Sequence, residues 1–252
     1  MFDAVKETKK IITFIRDYFD KNKLGGVVIG ISGGKDSAVV AGLFTQALGK
    51  DRVVGVTMPC HSLETDRIDA KKVADYYGFK LLNFDITNVF DSMKKEVNKL
   101  GDFTEDEVRE ADINTKSRLR MTTLYYLAAL LRDVKGKTYL VAGTSNKCEQ
   151  FVGYFTKGGD SVSDIKVLSD LTVEEVIKVG EVINVPREVL YKTPSDGLSG
   201  LSDEEKMGIT YNDIAKYMEN PNNVDSKIRE KIYTKHIGCQ HKFNIPTYKK
   251  EK

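Results

Sequence analysis

The sequence predicts an α/β fold in which a parallel sheet is flanked by helices. Short apolar runs of strand type alternate with segments whose apolar residues recur at helical spacing. The intervening stretches are long enough for right-handed crossover helices, the pattern of βαβ units. Two of the strands end in glycine, at Gly30 and Gly143. Because ligands bind beyond the carboxyl ends of such strands, both ends should face one crevice.

The elements follow one another in order. Strands are predicted at residues 27–29, 53–58, 80–86 and 139–143. Helices are predicted at residues 11–19, 36–48, from about 64 to 77, and around 121–128. Thr172 and Glu175 form a capping box that opens a further helix. The charged stretch 94–110 is expected to be a solvated connection or short helices.

Residues 30–37, Gly-Ile-Ser-Gly-Gly-Lys-Asp-Ser, are the most informative segment of the chain. They follow a strand and open a helix, where free backbone N–H groups and the helix dipole favour an anion such as phosphate. Gly33 and Gly34 permit positive φ and a close backbone approach. Serine hydroxyls add donors, and Lys35 adds a cation. The segment predicts a phosphate site, with a ligand-free βα turn as the alternative.

Two common nucleotide motifs do not fit this segment. A Walker A loop requires Ser or Thr after Gly-Lys, whereas Gly34-Lys35 is followed by Asp36. The pattern G-x-G-x-x-G is absent as well. The remaining S-G-G-x-D-S pattern resembles the pyrophosphate-binding loop of the N-type ATP pyrophosphatases, the PP-loop superfamily. The resemblance implies cleavage of ATP into AMP and pyrophosphate.

Composition narrows the class of protein further. A formal net charge of +2 gives no reason to expect a nucleic-acid partner. The three cysteines include no C-x-x-C pair, which favours a reducing compartment. The N-terminus does not resemble a signal peptide, and no apolar run approaches the ~20 residues that a membrane span needs. We therefore expect a cytoplasmic protein that binds neither nucleic acid nor membrane.

A second set of motifs lies downstream. Residues 114–121 read N-x-x-x-R-x-R-M, and residues 143–160 read G-T-x-x-x-x-E-x-x-x-G-Y-F-T-K-x-G-D, with Asp164 four residues on. Together with the glycine turn, this arrangement resembles the ammonia-dependent NAD synthetases, from about residue 10 to residue 246. The resemblance implies a Rossmann-like, adenine nucleotide alpha hydrolase-like sheet and a single NAD synthetase domain over residues 1–252.

The activity that the resemblance implies is an ATP- and Mg²⁺-dependent amidation. Deamido-NAD (nicotinic acid adenine dinucleotide) would react with ammonia through an adenylate intermediate to give NAD, AMP and pyrophosphate. Glutamine-using relatives carry a second domain with a cysteine nucleophile, and the resemblance leaves no length for one. Free ammonia is the expected nitrogen source unless a separate glutaminase supplies it. The resemblance also implies a homodimer, with the stripe on the helix at 118–131 as a candidate contact.

The resemblance assigns roles to individual residues. Asp36 and Glu149 would bind Mg²⁺, for which hard carboxylate oxygens are suitable ligands. Asp160 would take a proton from ammonium, and Lys35 would assist catalysis. ATP would be held by Gly30, Ile31, Ser32, Gly33, Gly34, Lys35, Asp36, Ser37, Thr144 and Ser195. Deamido-NAD would be held by Arg118, Lys157, Asp164, His241 and Lys242. Lys116 and Arg120 receive no role beyond general charge.

The chain departs from the family pattern at one position. Many members have an ATP-contacting lysine where this chain has Val173, and Lys166 or Lys178 could replace it. Residues 194–208, rich in glycine, serine and acidic residues, are expected to form a lid over ATP, with a mobile connector as the alternative. Two rival functions stay open. One is another ATP pyrophosphatase, such as a GMP-synthetase-like enzyme, and the other is a nucleotide-binding sensor without turnover.

Overall fold

A five-stranded parallel sheet forms the centre of the computed structural model, which describes residues 2–62, 64–192 and 202–250. Its strands are β1 (Gly26–Gly30), β2 (Val53–Thr57), β3 (Lys80–Asn83), β4 (Tyr139–Gly143) and β5 (Ile165–Lys166). Their order across the sheet is β3-β2-β1-β4-β5. This arrangement confirms the predicted parallel α/β fold. The connection from β3 to β4 returns past β2 and β1, so the two glycine-ended strands β1 and β4 are neighbours.

Helices surround the sheet. They are α1 (Ala4–Lys21), α2 (Lys35–Leu48), α3 (Glu64–Tyr77), α4 (Thr87–Val97), α5 (Glu105–Lys135), α6 (Lys147–Val152), α7 (Val173–Val182), α8 (Arg187–Leu190), α9 (Asp203–Met207), α10 (Tyr211–Glu219) and α11 (Ser226–Gly238). Short 3-10 turns occur at Lys50–Arg52, Pro221–Asn223 and Gln240–Lys242. Among the described residues, no helix combines the length and the apolar character required to cross a bilayer.

The two faces of the sheet carry separate apolar cores. Val27 and Ile29 of β1 pack against α1, α2 and α7, whereas Val28 points to the opposite face, toward α4 and α5. This alternation is the two-residue period of a strand. A third cluster joins α6, α10 and α11 beside the end of β4. The third cluster supports the helix that carries Glu149, one of the predicted site residues.

Three predicted elements differ from the observed ones. The strand predicted at 80–86 ends at Asn83, because Asp85 accepts a hydrogen bond from the Thr87 N–H (2.8 Å) and the chain turns into α4. The strand predicted at 53–58 ends one residue early, at Thr57. The charged stretch 94–110 contains the end of α4 and the start of α5, which begins after a capping box at Thr104.

Candidate active site

The carboxyl ends of β1 and β4 lie side by side. Ile29 is opposite Ala142 in the parallel register, so Gly30 and Gly143 reach the same edge of the sheet. The glycine loop and the motif that begins at Gly143 therefore lie side by side at one edge of the sheet. Thr144 follows β4 directly and is partly exposed at this edge.

The glycine loop, residues 30–37, is held by its own hydroxyl groups. The Ser37 hydroxyl donates to the Gly34 carbonyl oxygen (3.0 Å) and lies 3.2 Å from the Ser32 hydroxyl. Gly33 adopts a φ of 81°, and a Cβ there would collide with the Asp66 carbonyl oxygen. Only glycine therefore fits at this position. Gly34 is the N-cap of α2, so residues 35–37 of the loop form the first turn of a buried 14-residue helix, where the N–H groups have no partner within the helix.

Lys35 and Asp36 form an ion pair at the start of α2. The Lys35 ammonium lies 3.2 Å from a carboxylate oxygen of Asp36, and only 5% of the lysine side chain is exposed. The same ammonium lies 5.7 Å from the centre of the Tyr211 ring. Because a buried lysine needs nearby negative charge, Asp36 and an incoming phosphate are suitable counterions.

Asn146 connects Asp36 to Glu149. This asparagine is fully buried, and its side-chain N–H group donates to Asp36 (3.3 Å). Its side-chain oxygen accepts from the Glu149 N–H (3.1 Å), while the Glu149 carboxylate accepts from the Asn146 N–H (3.0 Å). The last two bonds are a capping box at the start of α6. The helix cap thus holds both acidic side chains in one place.

The pKa of Glu149 is raised well above its usual range. Burial is the main cause, and the negative charge of Asp36 adds to it. Two carboxylates without enough compensating charge form a site that a cation would stabilise. In the described parts of the chain, no three His, Cys, Asp or Glu residues come together as a complete metal site. Two carboxylates are nevertheless suited to Mg²⁺, which commonly takes one or two carboxylates together with phosphate oxygens.

Asp160 joins the two downstream motifs. One of its carboxylate oxygens accepts from the Ser117 hydroxyl (2.7 Å) and from the Thr156 N–H (2.9 Å). The Thr156 hydroxyl in turn donates to the side-chain oxygen of Asn114 (2.8 Å). These bonds position the Asp160 carboxylate beside α5.

Four of the five residues predicted to hold deamido-NAD lie together. The Arg118 guanidinium donates to the Lys157 carbonyl oxygen (3.2 Å), and the Lys157 ammonium donates to the His241 carbonyl oxygen (2.6 Å). The Lys242 ammonium donates to the carbonyl oxygens of Gly153 and Phe155, both at 2.7 Å. The turn near the C-terminus is thereby fixed against the 153–160 loop.

Asp164 has different surroundings from the other four. Its carboxylate accepts from the Val141 N–H (2.8 Å) and from the Tyr125 hydroxyl (3.0 Å). Burial, together with this carboxylate, raises the pKa of Tyr125 to about 12. Both Asp164 oxygens are thus engaged in holding β4 against α5 in the structure.

The chain matches the family described as NAD synthase over residues 7–247. It belongs to the NAD synthase family. A relative from Carboxydothermus hydrogenoformans, an NH(3)-dependent NAD(+) synthetase, is 38% identical over 215 residues, 84% of each chain. The match does not favour the GMP-synthetase-like or sensor alternatives.

Two solved structures resemble the whole chain. The NMN synthetase from Francisella tularensis has a TM-score of 0.88 and 29% sequence identity, and the match covers 99% of both chains. The NH3-dependent NAD synthetase from Campylobacter jejuni has a TM-score of 0.79 and 25% identity, over 99% of this chain and 100% of that one. These matches confirm the Rossmann-like fold expected of the family.

Val173, where the resemblance led us to expect an ATP-contacting lysine in many members, packs against the third apolar cluster. Of the two possible substitutes, Lys178 pairs with Glu174 (2.6 Å) on an exposed helix face. Lys166 is half-buried in β5, beside Gly143, and its pKa is lowered by burial despite the charge of Asp160. Of the two lysines, Lys166 is the one that lies beside the end of β4.

Ser195 and residues 194–201 of the predicted lid lie outside the described residues. The rest of that segment is α9, which begins with a Ser202–Glu205 capping box and buries Met207. Sequence reasoning did not identify Asn146 or Ser117 as site residues. For Asn146 a signal was present, since Asn-x-x-Glu is a capping-box pattern. For Ser117 there was none, because its partner Asp160 is 43 residues away.

Proposed function

We propose that this protein is a C–N bond-forming ligase that amidates deamido-NAD with ammonia, at the expense of ATP cleaved to AMP and pyrophosphate. The observation that carries this proposal is the position of the glycine loop beside the Asp36–Glu149 pair, at the adjacent ends of β1 and β4. Membership of the NAD synthase family supplies the reaction class.

In this proposal the glycine loop binds the β- and γ-phosphates of ATP through its N–H and hydroxyl groups. Asp36 and Glu149 would hold Mg²⁺, which neutralises charge on the pyrophosphate leaving group. A carboxylate oxygen of deamido-NAD attacks the α-phosphorus, and the bond to the bridging oxygen of the β-phosphate breaks. The protein contributes mainly orientation and charge stabilisation to this step.

Ammonia then attacks the acyl carbon of the adenylate, and AMP leaves. Asp160 is the base that we propose for the proton released by the attacking nitrogen. Both of its hydrogen bonds, from Ser117 and Thr156, go to the same oxygen. The second oxygen is the one that we assign to receive the proton. Arg118, Lys157 and the His241–Lys242 turn are proposed to bind deamido-NAD, which carries the phosphate groups that such cations recognise.

Product analysis tests the proposal. Purified protein with ATP, Mg²⁺, ammonium and deamido-NAD should produce NAD, AMP and pyrophosphate in equal amounts. Formation of ADP and phosphate would contradict the assignment of the glycine loop. Glutamine in place of ammonium should give no NAD, as expected for a relative of ammonia-dependent enzymes.

A second candidate function is the corresponding amidation of a mononucleotide acid to give NMN. The observation that favours it is the TM-score of 0.88 to an NMN synthetase, against 0.79 to an NAD synthetase, at comparable identity. Curated relatives at higher identity are NAD synthetases, which favours the dinucleotide. Measuring kcat/KM for nicotinic acid mononucleotide and for deamido-NAD side by side decides between them.

We also propose that the protein is a homodimer and works in the cytoplasm. Three apolar side chains at four-residue spacing on α5 are exposed: Tyr126, Leu130 and Val134. Val89, Met93 and Val97 repeat this pattern on α4, on the same face of the sheet. Rows of exposed apolar residues of this kind are typical of an interface. The three cysteines are free thiols, which suits a reducing compartment.

A further inference from the structure

Two cations on α5 have no role in the mechanism above. Lys116 and Arg120 are one helical turn apart and lie beyond the carboxyl end of β2. Lys116 is 9% exposed, and its ammonium lies 4.8 Å from the centre of the Phe90 ring. Arg120 donates through Nε to the Met58 carbonyl oxygen (3.2 Å). We call these two residues the α5 cation pair.

The α5 cation pair has no bound counterion in the described residues: no carboxylate there lies within 4.0 Å of either charged group. Asp160 and Asp66 act on the Arg120 charge only from a greater distance, and burial still lowers the pKa of Arg120. The nearby Cys60 has its pKa raised by burial, so it remains a thiol. Lys116 is buried and Arg120 is partly buried, so two positive charges without a carboxylate beside them indicate a site for an anion that is bound from outside.

Neighbouring contacts place the pair between the glycine loop and Asp160. The Met58 methyl group packs against Gly30, the first residue of the loop. The Asp66 backbone packs against Gly33, and Asp160 is the carboxylate with the strongest effect on Arg120. In an ATP molecule whose β- and γ-phosphates occupy the loop, the α-phosphate is the next group along the chain of phosphates. Lys116 and Arg120 lie on the side of the loop toward Asp160, so an α-phosphate on that side would meet both cations.

We propose that Lys116 and Arg120 bind the α-phosphate of ATP and keep hold of it in the adenylate and in AMP. This inference rests on the proposed function. When the substrate carboxylate attacks, a P–O bond forms and the bond to pyrophosphate breaks. Negative charge on the non-bridging α-oxygens is then stabilised by the pair. When ammonia attacks, the acyl C–O bond breaks and its electrons pass to the AMP phosphate, which is stabilised in the same way.

Kinetics of Lys116→Met test the proposal. Removing one such charged donor should lower kcat about 100-fold, with little change in the KM for deamido-NAD. Lys116→Arg, which keeps the charge, should recover part of the rate. The thermal midpoint of Lys116→Met should be unchanged or higher, because a buried unpaired charge has been removed. If Lys116→Met does not fold, Arg120→Met carries the same test.

Lys94→Met is the matched control. The Lys94 ammonium lies 6.0 Å from the same Phe90 ring, but it is paired with Asp112 (2.6 Å). Its removal should leave kcat within about twofold, since surface charges contribute little. Equal losses in Lys94→Met and Lys116→Met would show that only packing around Phe90 matters, and would overturn the proposal.

Binding of AMP and of magnesium pyrophosphate, measured by calorimetry, tests this inference separately from the proposed function. The wild type should bind both. Lys116→Met and Arg120→Met should lose at least about tenfold in AMP affinity and keep their pyrophosphate affinity, because a charge-assisted hydrogen bond to the AMP phosphate is lost while the glycine loop is unchanged. Two results would contradict the inference and leave the proposed function intact. One is an unchanged AMP affinity in both variants, and the other is a wild type that binds pyrophosphate but not AMP. A wild type that binds neither ligand contradicts the proposed function.

Discussion

At the residue scale, the chemistry of the site depends on two carboxylates that the fold holds close together. Asn146 donates to Asp36 and caps the helix of Glu149, so one buried side chain connects the two acids. Lys35 supplies one positive charge, but this charge does not offset the rise that burial causes in the pKa of Glu149. The proposed Mg²⁺ would supply the positive charge that this pair of carboxylates lacks.

Asp36→Asn tests this arrangement. The variant keeps the shape of the side chain and removes one ligand charge, so we expect kcat with Mg²⁺ to fall about 100-fold. Circular dichroism should show an intact fold. Asp75→Asn is the control, since Asp75 is an exposed partner of Lys71. Near-normal turnover in Asp36→Asn would exclude Asp36 as a metal ligand.

The raised pKa of Glu149 predicts a pH dependence of stability. Above the usual glutamate value of 4.5, the unfolded chain has lost this proton while the folded protein keeps it. The folded state then binds more protons, so the free energy of unfolding without metal falls as pH rises until Glu149 ionises in the fold. Urea unfolding at a series of pH values measures this.

Glu149→Gln should remove the part of the pH dependence that Glu149 causes. The difference between the wild-type and Glu149→Gln curves of unfolding free energy against pH gives the contribution of this residue. Mg²⁺ should stabilise the wild type more at high pH than at low pH, since the metal binds the ionised form. Parallel curves for wild type and Glu149→Gln would contradict the raised pKa.

At the scale of elements, helix starts position the site. Five helices, α5, α6, α7, α9 and α10, begin with capping boxes in which a side chain at the N-cap and an acidic residue three positions on exchange hydrogen bonds. Most of these boxes only satisfy backbone N–H groups. The box at α6 is different because its two side chains also belong to the site.

Two alanine variants separate these roles. Asn146→Ala and Thr104→Ala each remove an N-cap side chain, for which we expect a loss of about 1 kcal/mol in unfolding free energy. Only Asn146→Ala should also lower kcat, because it releases Asp36 and Glu149. Thr104 is exposed at the start of α5 and has no site contact. Equal effects of both variants on kcat would contradict the proposed role of Asn146.

At the scale of the whole molecule, the α4–α5 side of the sheet is incompletely covered. The inner faces of these helices, including Phe90 and Leu127, are buried against the sheet. Their outer faces keep exposed apolar rows, which would be covered in the proposed homodimer. The long helix α5 also carries Arg118 and the α5 cation pair, so an interface on α5 and the proposed site would share one helix.

Leu130→Glu tests the homodimer. A charge in the middle of the α5 row should convert a dimer into a monomer in sedimentation velocity experiments, because an unpaired charge is not tolerated in a buried interface. Phe14→Glu, on α1, changes an equally exposed aromatic residue on the other face of the sheet and should leave the dimer intact. A wild type that sediments as a monomer would refute the proposal.

The sequence by itself determined β1 to β4, the presence of α1, α2, α3, α5 and α7, the glycine loop, the capping box at Thr172 and the family. These are local features, set by periodicity, turn chemistry and motifs of contiguous residues. It could not locate β5, which is two residues long. Nor could it show that α5 starts at Glu105, because charged residues there mask the helical pattern.

The tertiary structure decided which side chains meet. Asn146 contacts Asp36 across 110 residues, and Ser117 contacts Asp160 across 43. It also decided that Lys116 is buried with no carboxylate partner in the described parts of the chain, whereas Lys94, over the same ring, is paired with Asp112. The sequence shows two similar lysines. Their difference depends on burial and on charges brought in by other elements, and these exist only once the chain has folded.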